Sequence, residues 1–239
     1  MKRIGIIGAM PQEVQQLAIQ LENARTHEHA GSVFHIGIRY GLEVVLLQSG
    51  IGKVNAAVGT ALLLERYQPD VVINTGSAGG FADGLNIGDI IISSEVRHHD
   101  VDAVAFGYEM GQVPGMPPAY RASPELMEIA RKAISAMGEV QVREGLIATG
   151  DAFMSDPAKV AATRALFPAM LAVEMEAAAI AQTCHLFDCP FVVIRALSDI
   201  PGSGENHLSF DEFLPMAADH SYRMVDRMLQ HLGSSGTQA

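Results

Sequence analysis

Six places where a strand-like run gives way to the next segment hold residues able to do chemistry. Glu13 follows RIGIIG within AMPQE, SGIGK (49–53) follows LEVVLLQ, and GSAGG (76–80) follows DVVINT. Asp151 and Phe153 follow EGLIAT within GDAFM, Glu176 follows MLAVE, and Ser198-Asp199 follows PFVVIRAL. Four of these junctions carry an acid and two are small-residue segments. In open α/β sheets, ligands bind outside the carboxyl ends of the strands, so acids from separate segments converge there if the strands are parallel. Asp199 follows a mostly apolar run and has Arg195 four residues before it. Such an acid is either a turn or cap residue or, partly desolvated, a proton donor. Phe153 is either a core side chain or a ring placed to stack on a flat heterocycle.

The glycine-rich pieces fit no complete phosphate motif. Gly5 and Gly8 lack the third glycine of G-x-G-x-x-G, and SGIGK fails G-x-x-x-x-G-K-[ST] because Leu47 stands at the first position and Val54 follows the lysine. GSAGG reads either as a tight turn or as backbone that a ligand can approach closely. RHHDVDA (97–103) offers His98, His99, Asp100 and Asp102 as metal ligands. Adjacent histidines on a strand point to opposite faces, so surface or interface polar residues are the expected reading.

The elements that must position these residues alternate along 239 residues. Strands are expected at 3–8, 32–38, 42–48, 70–75, 88–96, 144–149, 170–174 and 190–197, several as continuous Val/Ile-rich runs covered on both faces. Helices are expected at 11–24, 53–67, 123–137, 157–166, 176–187 and 209–231. Ser123 is the expected N-cap of one, and Ser209 with Glu212 a capping box for another. The pattern predicts an α/β fold: a single domain over 1–232 with a central mixed, largely parallel sheet flanked by helices in three layers. The segment 98–122 has no clear period and is expected to be functional or interfacial. The tail 233–239 is expected to be flexible.

Apolar residues make up 49% of the chain and charged residues 18%, enough for a sizeable core. The formal net charge of −11 and scattered basic residues argue against a nucleic-acid partner. No run reaches the roughly 18 apolar residues that span a bilayer, and no targeting signal is visible, so no membrane partner and a cytoplasmic location are expected. Cys184 and Cys189 are expected to be free thiols.

Together IGIIGAM-x-x-E-V, SGIGKVNAA, INTGSAGG, FGYE-x-GQ-x-PG, GDAF, VEMEA-x-AIA, FVV-x-RA-x-SD and HLSFDEF resemble the bacterial 5′-methylthioadenosine/S-adenosylhomocysteine nucleosidases, within the purine nucleoside phosphorylase/uridine phosphorylase superfamily. The resemblance runs from about residue 3 to about residue 231. It departs at Pro11-Gln12, where an acidic pair is more usual, and at 200–206, about one residue longer than in close relatives. It implies hydrolysis of an N-glycosidic bond in adenosine thioether nucleosides, with no metal or organic cofactor. It also implies a homodimer in which 98–122 of one subunit, with Phe106 and Pro114, helps close the other's pocket.

Carried over by motif, Glu13 activates the attacking water and Asp199 protonates adenine. Glu176 and Met175 hold the ribose, and Phe153 stacks on the base with Met154 beside it. Ser77, Ala78, Gly79 and Ser198 lie beside ribose and base, while Met10, Ile51 and Phe210 line the sugar and its 5′ substituent. From this position, 200–206 is expected to be a mobile lid over that substituent. In LAVEMEAAAIA a strand is expected to end near Glu174 and a helix to begin near Glu176. Glu174 is then free to pair with Arg195 on the neighbouring strand.

Overall fold

The computed structural model describes residues 2–135, 140–202 and 206–235. The chain runs β1 (Arg3–Gly8), α1 (Pro11–Ala18), β2 (Glu22–His29), β3 (Ser32–Arg39), β4 (Leu42–Gln48), α2 (Lys53–Tyr67), β5 (Val71–Gly80) and β6 (Ile90–His98). It continues through a short 3₁₀ turn (Val104–Phe106), β7 (Tyr120–Arg121), α3 (Pro124–Ser135), β8 (Val142–Thr149), α4 (Pro157–Leu166), β9 (Met170–Glu174), α5 (Ala177–Leu186), β10 (Phe191–Asp199) and α6 (Asn206–Ser235).

The sheet follows the order β10-β6-β8-β9-β5-β1-β4-β3-β2, and β10 also pairs with β5. That extra pairing closes β5, β9, β8, β6 and β10 into a ring, with β1, β4, β3 and β2 extending from it as an open wing. Five pairings are parallel and five antiparallel. The antiparallel ones lie in the β2–β3–β4 wing, at β7, and on both sides of the closure.

Two apolar layers sandwich the sheet. Ile4, Ile6, Val44 and Ile73 face Val14 and Leu17 of α1, Leu126 and Ala130 of α3, and Met224 and Met228 of α6. Ile7, Val45, Leu47 and Val72 face Ala56 and Leu63 of α2 and Ala177–Cys184 of α5. Strands covered on both faces are near-continuously apolar rather than alternating, and LEVVLLQ and FVVIRAL read that way apart from Glu43, Gln48 and Arg195.

Several elements depart from the sequence reading. The helix expected at 11–24 stops at Ala18, and 22–29 is the exposed edge strand β2. ENARTHEH shows no apolar alternation because neither face is buried. Its register is set by a two-residue hairpin in which Ala30 and Gly31 both have positive φ, as type I′ turns require. GSAGG is neither turn nor loop but the last five residues of β5, paired with β10 on one side and β9 on the other. Ser209 caps nothing, since α6 already begins at Asn206 and runs on to Ser235, three residues past the expected domain limit. The segment 98–122 contains the 3₁₀ turn and β7, which pairs with β6. Ser123 does accept a hydrogen bond, at 3.4 Å from the Leu126 amide. Residues 136–137 of the expected third helix and 236–239 of the tail lie outside the described residues.

Candidate active site

Glu13 sits in the first turn of α1, directly after β1, and its buried carboxylate is held by four donors. Oε2 accepts from the amides of Ala9 (2.8 Å) and Met10 (3.1 Å), and Oε1 from the amide (2.9 Å) and hydroxyl (3.1 Å) of Ser77. Gly76 makes this approach possible. A Cβ there would stand 2.7 Å from Glu13 Oε1 and 3.2 Å from Arg195 Nη1. The GSAGG stretch is therefore small because an acid and a guanidinium close on it.

β10 delivers Asp199 at its last position, opposite Gly79 of β5. Asp199 is buried, Ser198 Oγ donates to its Oδ1 at 3.0 Å, and Ser198 Oγ also lies 3.4 Å from the Ala78 carbonyl. A Cβ on Gly79 would fall 2.6 Å from Pro201 Cγ and 3.3 Å from Asp199 Oδ2.

The seam at 174–176 resolves the two glutamates. Glu174 ends β9 and accepts from the amides of Glu176 (3.0 Å) and Ala177 (2.8 Å), so it satisfies the first amides of α5. It also accepts from Thr149 Oγ1, and from Arg195 Nη2 at 2.6 Å, the expected pairing, although Arg195 stands on β10, which is not the neighbouring strand. Three carboxylates, led by Glu174 and followed by Glu13 and Glu176, raise the Arg195 pKa against the burial that opposes it. Glu176 points the other way, where its Oε1 accepts from the Gly52 amide at 2.8 Å. Burial, and then repulsion from Glu174, push its pKa up to about 8.

These residues share one cavity of about 390 Å³. Glu13, Asp199 and Glu176 line it together with Met10, Ile51, Ser77, Ala78, Gly79, Phe153, Met175, Ser198 and Phe210. Its volume lies in the range of small-ligand pockets, about 300–1,000 Å³. Phe153 and Phe210 meet edge to face in its lining, 5.8 Å between ring centres. Met154 lines only an adjoining recess, shared with Gly79, Phe153, Met175 and Asp199. Of the residues that the resemblance assigns to the pocket, Phe106 and Pro114 line neither space, and neither does the strand-end acid Asp151. His207 and Asp211, in the first turns of α6, line the cavity and were missed. In the HLSFDEF run His207 lies three residues before Phe210 and four before Asp211, spacings that make helix neighbours, which is the signal that would have found them.

His98 and His99 diverge. His98 Nε2 lies 3.0 Å from Gln182 Oε1, whereas the His99 ring lies against Gly150, and burial lowers the pKa of both. Among the described residues no group of three or more potential ligands could hold a metal ion, and no helix is long and apolar enough to cross a membrane. Cys184 and Cys189 are free. Residues 203–205 of the expected lid lie outside the described residues.

The chain belongs to the phosphorylase superfamily, whose family model matches residues 3–230. It is 64% identical to the 5′-methylthioadenosine/S-adenosylhomocysteine nucleosidase of Chromohalobacter salexigens, over 98% of this chain and all of that protein. Identity to the nucleosidase of the same name from Bacillus cereus is 57%, over 96% of this chain and 99% of that one. Within the superfamily, these identities place the chain in the 5′-methylthioadenosine/S-adenosylhomocysteine nucleosidase family. The solved nucleosidase of Colwellia psychrerythraea 34H, in complex with adenine, superposes with a TM-score of 0.94 at 52% identity, covering 97% of this chain and 96% of that one. The Neisseria meningitidis enzyme, in complex with methylthio-immucillin-A, gives 0.94 at 45% identity, covering 97% of this chain and 100% of that one.

Proposed function

We propose that the protein hydrolyses the N-glycosidic bond of 5′-methylthioadenosine and S-adenosylhomocysteine, releasing adenine and 5-methylthioribose or S-ribosylhomocysteine. The observation that carries this is the convergence of buried Glu13, Asp199 and Glu176 on one nucleoside-sized cavity.

The bond breaks through an oxocarbenium-like transition state. Asp199, its Oδ1 fixed by Ser198, gives a proton to adenine N7, so the base departs neutral rather than as an anion. Glu13, held by its four donors, takes a proton from the water whose oxygen bonds to C1′ as the C1′–N9 bond breaks. Glu176 and Met175 take the ribose hydroxyls. Phe153 faces the base, and Ile51 and Phe210 flank the 5′ substituent. The chemistry uses no cofactor.

A phosphorylase must hold a phosphate dianion beside C1′, which calls for guanidinium or comparable donors. No arginine is among the described residues lining the cavity, and Glu13 would repel the dianion. That favours water as the nucleophile. The cytoplasm is the proposed location, with small-molecule nucleosides as partners. The proposed assembly is a homodimer in which 98–122 closes the partner's pocket. Phe106 is 84% exposed and Val104, two residues before it, is exposed with it, as are Val54 and Val58 on α2, exposed apolar side chains of the kind that such a contact would cover.

Adenine release from both nucleosides, compared with and without phosphate, tests the reading. Hydrolysis predicts equal rates and a free reducing sugar. A phosphate requirement with a sugar-1-phosphate product contradicts it.

A further inference from the structure

Three segments meet at one point away from the proposed chemistry. They are the SGIGK turn before α2, the RHHD stretch at the end of β6 and the GDAF stretch after β8. The N-cap of helix α2 is Gly52, which has no side chain with which to cap it. Its first amides are instead satisfied from elsewhere in the chain. Gly52 N–H donates to Glu176 Oε1 at 2.8 Å, and Lys53 N–H to Asp151 Oδ1 at 2.8 Å. Both acceptors are carboxylates set at the positive end of the helix.

Asp151 is held in turn. Its amide donates to Asp100 Oδ2 at 3.0 Å, and Asp100 Oδ1 pairs with Lys53 Nζ at 2.7 Å. Lys53, Asp151 and Asp100 thus form a closed ring of three contacts joining residues far apart in sequence. The pull of Lys53 and the Asp151 amide lowers the Asp100 pKa against its partial burial. Glycine at 52 is required twice. Its φ is +93°, and a Cβ there would sit 3.2 Å from Asp151 Oδ1.

The ring lies outside the cavity but touches three of its walls. Ile51 is two residues before Lys53 and Phe153 two residues after Asp151, and both line the cavity. The third wall is Glu176, bonded to the amide next to Lys53.

We propose that Lys53, Asp100 and Asp151 are positioning residues for the nucleoside site, fixing the α2 N-terminus so that the Gly52 amide orients Glu176 and the Ile51–Phe153 gap keeps its width. The inference rests on the nucleosidase reading and deepens it. The exposed faces of Lys53 and Asp100 make the pair a weak source of stability. Its effect on activity is larger, because a displacement of about 1 Å in a bound geometry can cost about 10²-fold in rate.

The test is a double-mutant cycle on the full chain with 5′-methylthioadenosine, reading kcat/KM and the melting midpoint. Lys53→Met is expected to lower kcat/KM about tenfold, and Lys53→Arg, whose guanidinium still reaches Asp100, to recover most of it. In a Glu176→Ala background, assayed at high enzyme concentration, Lys53→Met is expected to cost less than about threefold, since the carboxylate it helps orient is gone. The melting midpoint should fall equally in both backgrounds. Asp100→Asn breaks the ring from the other side and should repeat the pattern if Lys53→Met does not fold. The same factor in both backgrounds, or no loss in either, overturns the positioning role while wild-type activity stands. A wild-type protein that releases no adenine overturns the nucleosidase reading and this inference with it.

Discussion

Glu174 and Arg195 form a buried ion pair, Oε2 to Nη2 at 2.6 Å, with their side chains 3% and 2% exposed. Glu174 lines the cavity, and the pair joins the end of β9 to the middle of β10, two strands that are not neighbours in the sheet. Arg195 also donates to Asn74 on β5 at 2.9 Å, so one guanidinium ties three strands of the ring.

Breaking one partner leaves the other charge buried. Arg195→Met should therefore destabilise the fold by about 3–5 kcal/mol in denaturant melts. Glu174→Gln/Arg195→Met should lose clearly less than the sum of the two single changes, because neither uncompensated charge remains. Additive losses would mean that the pair is not coupled.

Glu176 makes a pH-dependent contribution with a definite sign. Its folded pKa is raised from 4.5 to about 8, mainly by burial and then by Glu174. The folded state thus holds a proton that the unfolded state has released, and the stability this group contributes is full below pH 4.5 and is lost as pH rises to about 8. Glu176→Gln should melt near the wild type at pH 4.5, and increasingly above it towards pH 8, while losing activity. Each kcal/mol gained corresponds to about 2–4 °C in a chain of this size. A melting difference independent of pH would contradict the assignment.

Ser77 gives Glu13 Oε1 both an amide and a hydroxyl. Ser77→Ala removes only the hydroxyl, and the loss of one hydrogen bond to a charged group should lower kcat about tenfold or more. Steady-state kinetics on both nucleosides check this. An unchanged kcat would show that the other three donors suffice.

Gly79→Ala would drive a methyl into Pro201 and towards Asp199. It should cost about 1–3 kcal/mol of stability, as overpacking does, and lower activity beyond what the stability loss explains. Thermal melts and kcat on the same preparation separate the two effects.

The strand-end acids were legible because each follows a Val/Ile-rich run that declares itself locally. Glu13, Glu176 and Asp199 lie where that logic puts them, and the resemblance supplied their roles. Non-local pairing was not legible. β9 runs antiparallel to β5, and Glu174 and Glu176 reach the cavity because β5 extends through GSAGG to meet it. Five small residues in a row read as a turn when the two strands and two charged groups pressing on them are out of view. β2 was hidden for the opposite reason, since an edge strand exposed on both faces has no periodicity to detect. The Lys53–Asp100–Asp151 ring left no sign of its own, because its members lie in three separate motifs.

The central claim is that Asp199 protonates the departing base. The most direct measurement is adenine release from 5′-methylthioadenosine by Asp199→Asn, with nucleoside affinity measured on the same protein. Loss of a general acid predicts a fall in kcat of about 10²–10⁴-fold while the nucleoside still binds. Adenine release within about threefold of wild type, against that expected loss, would contradict it.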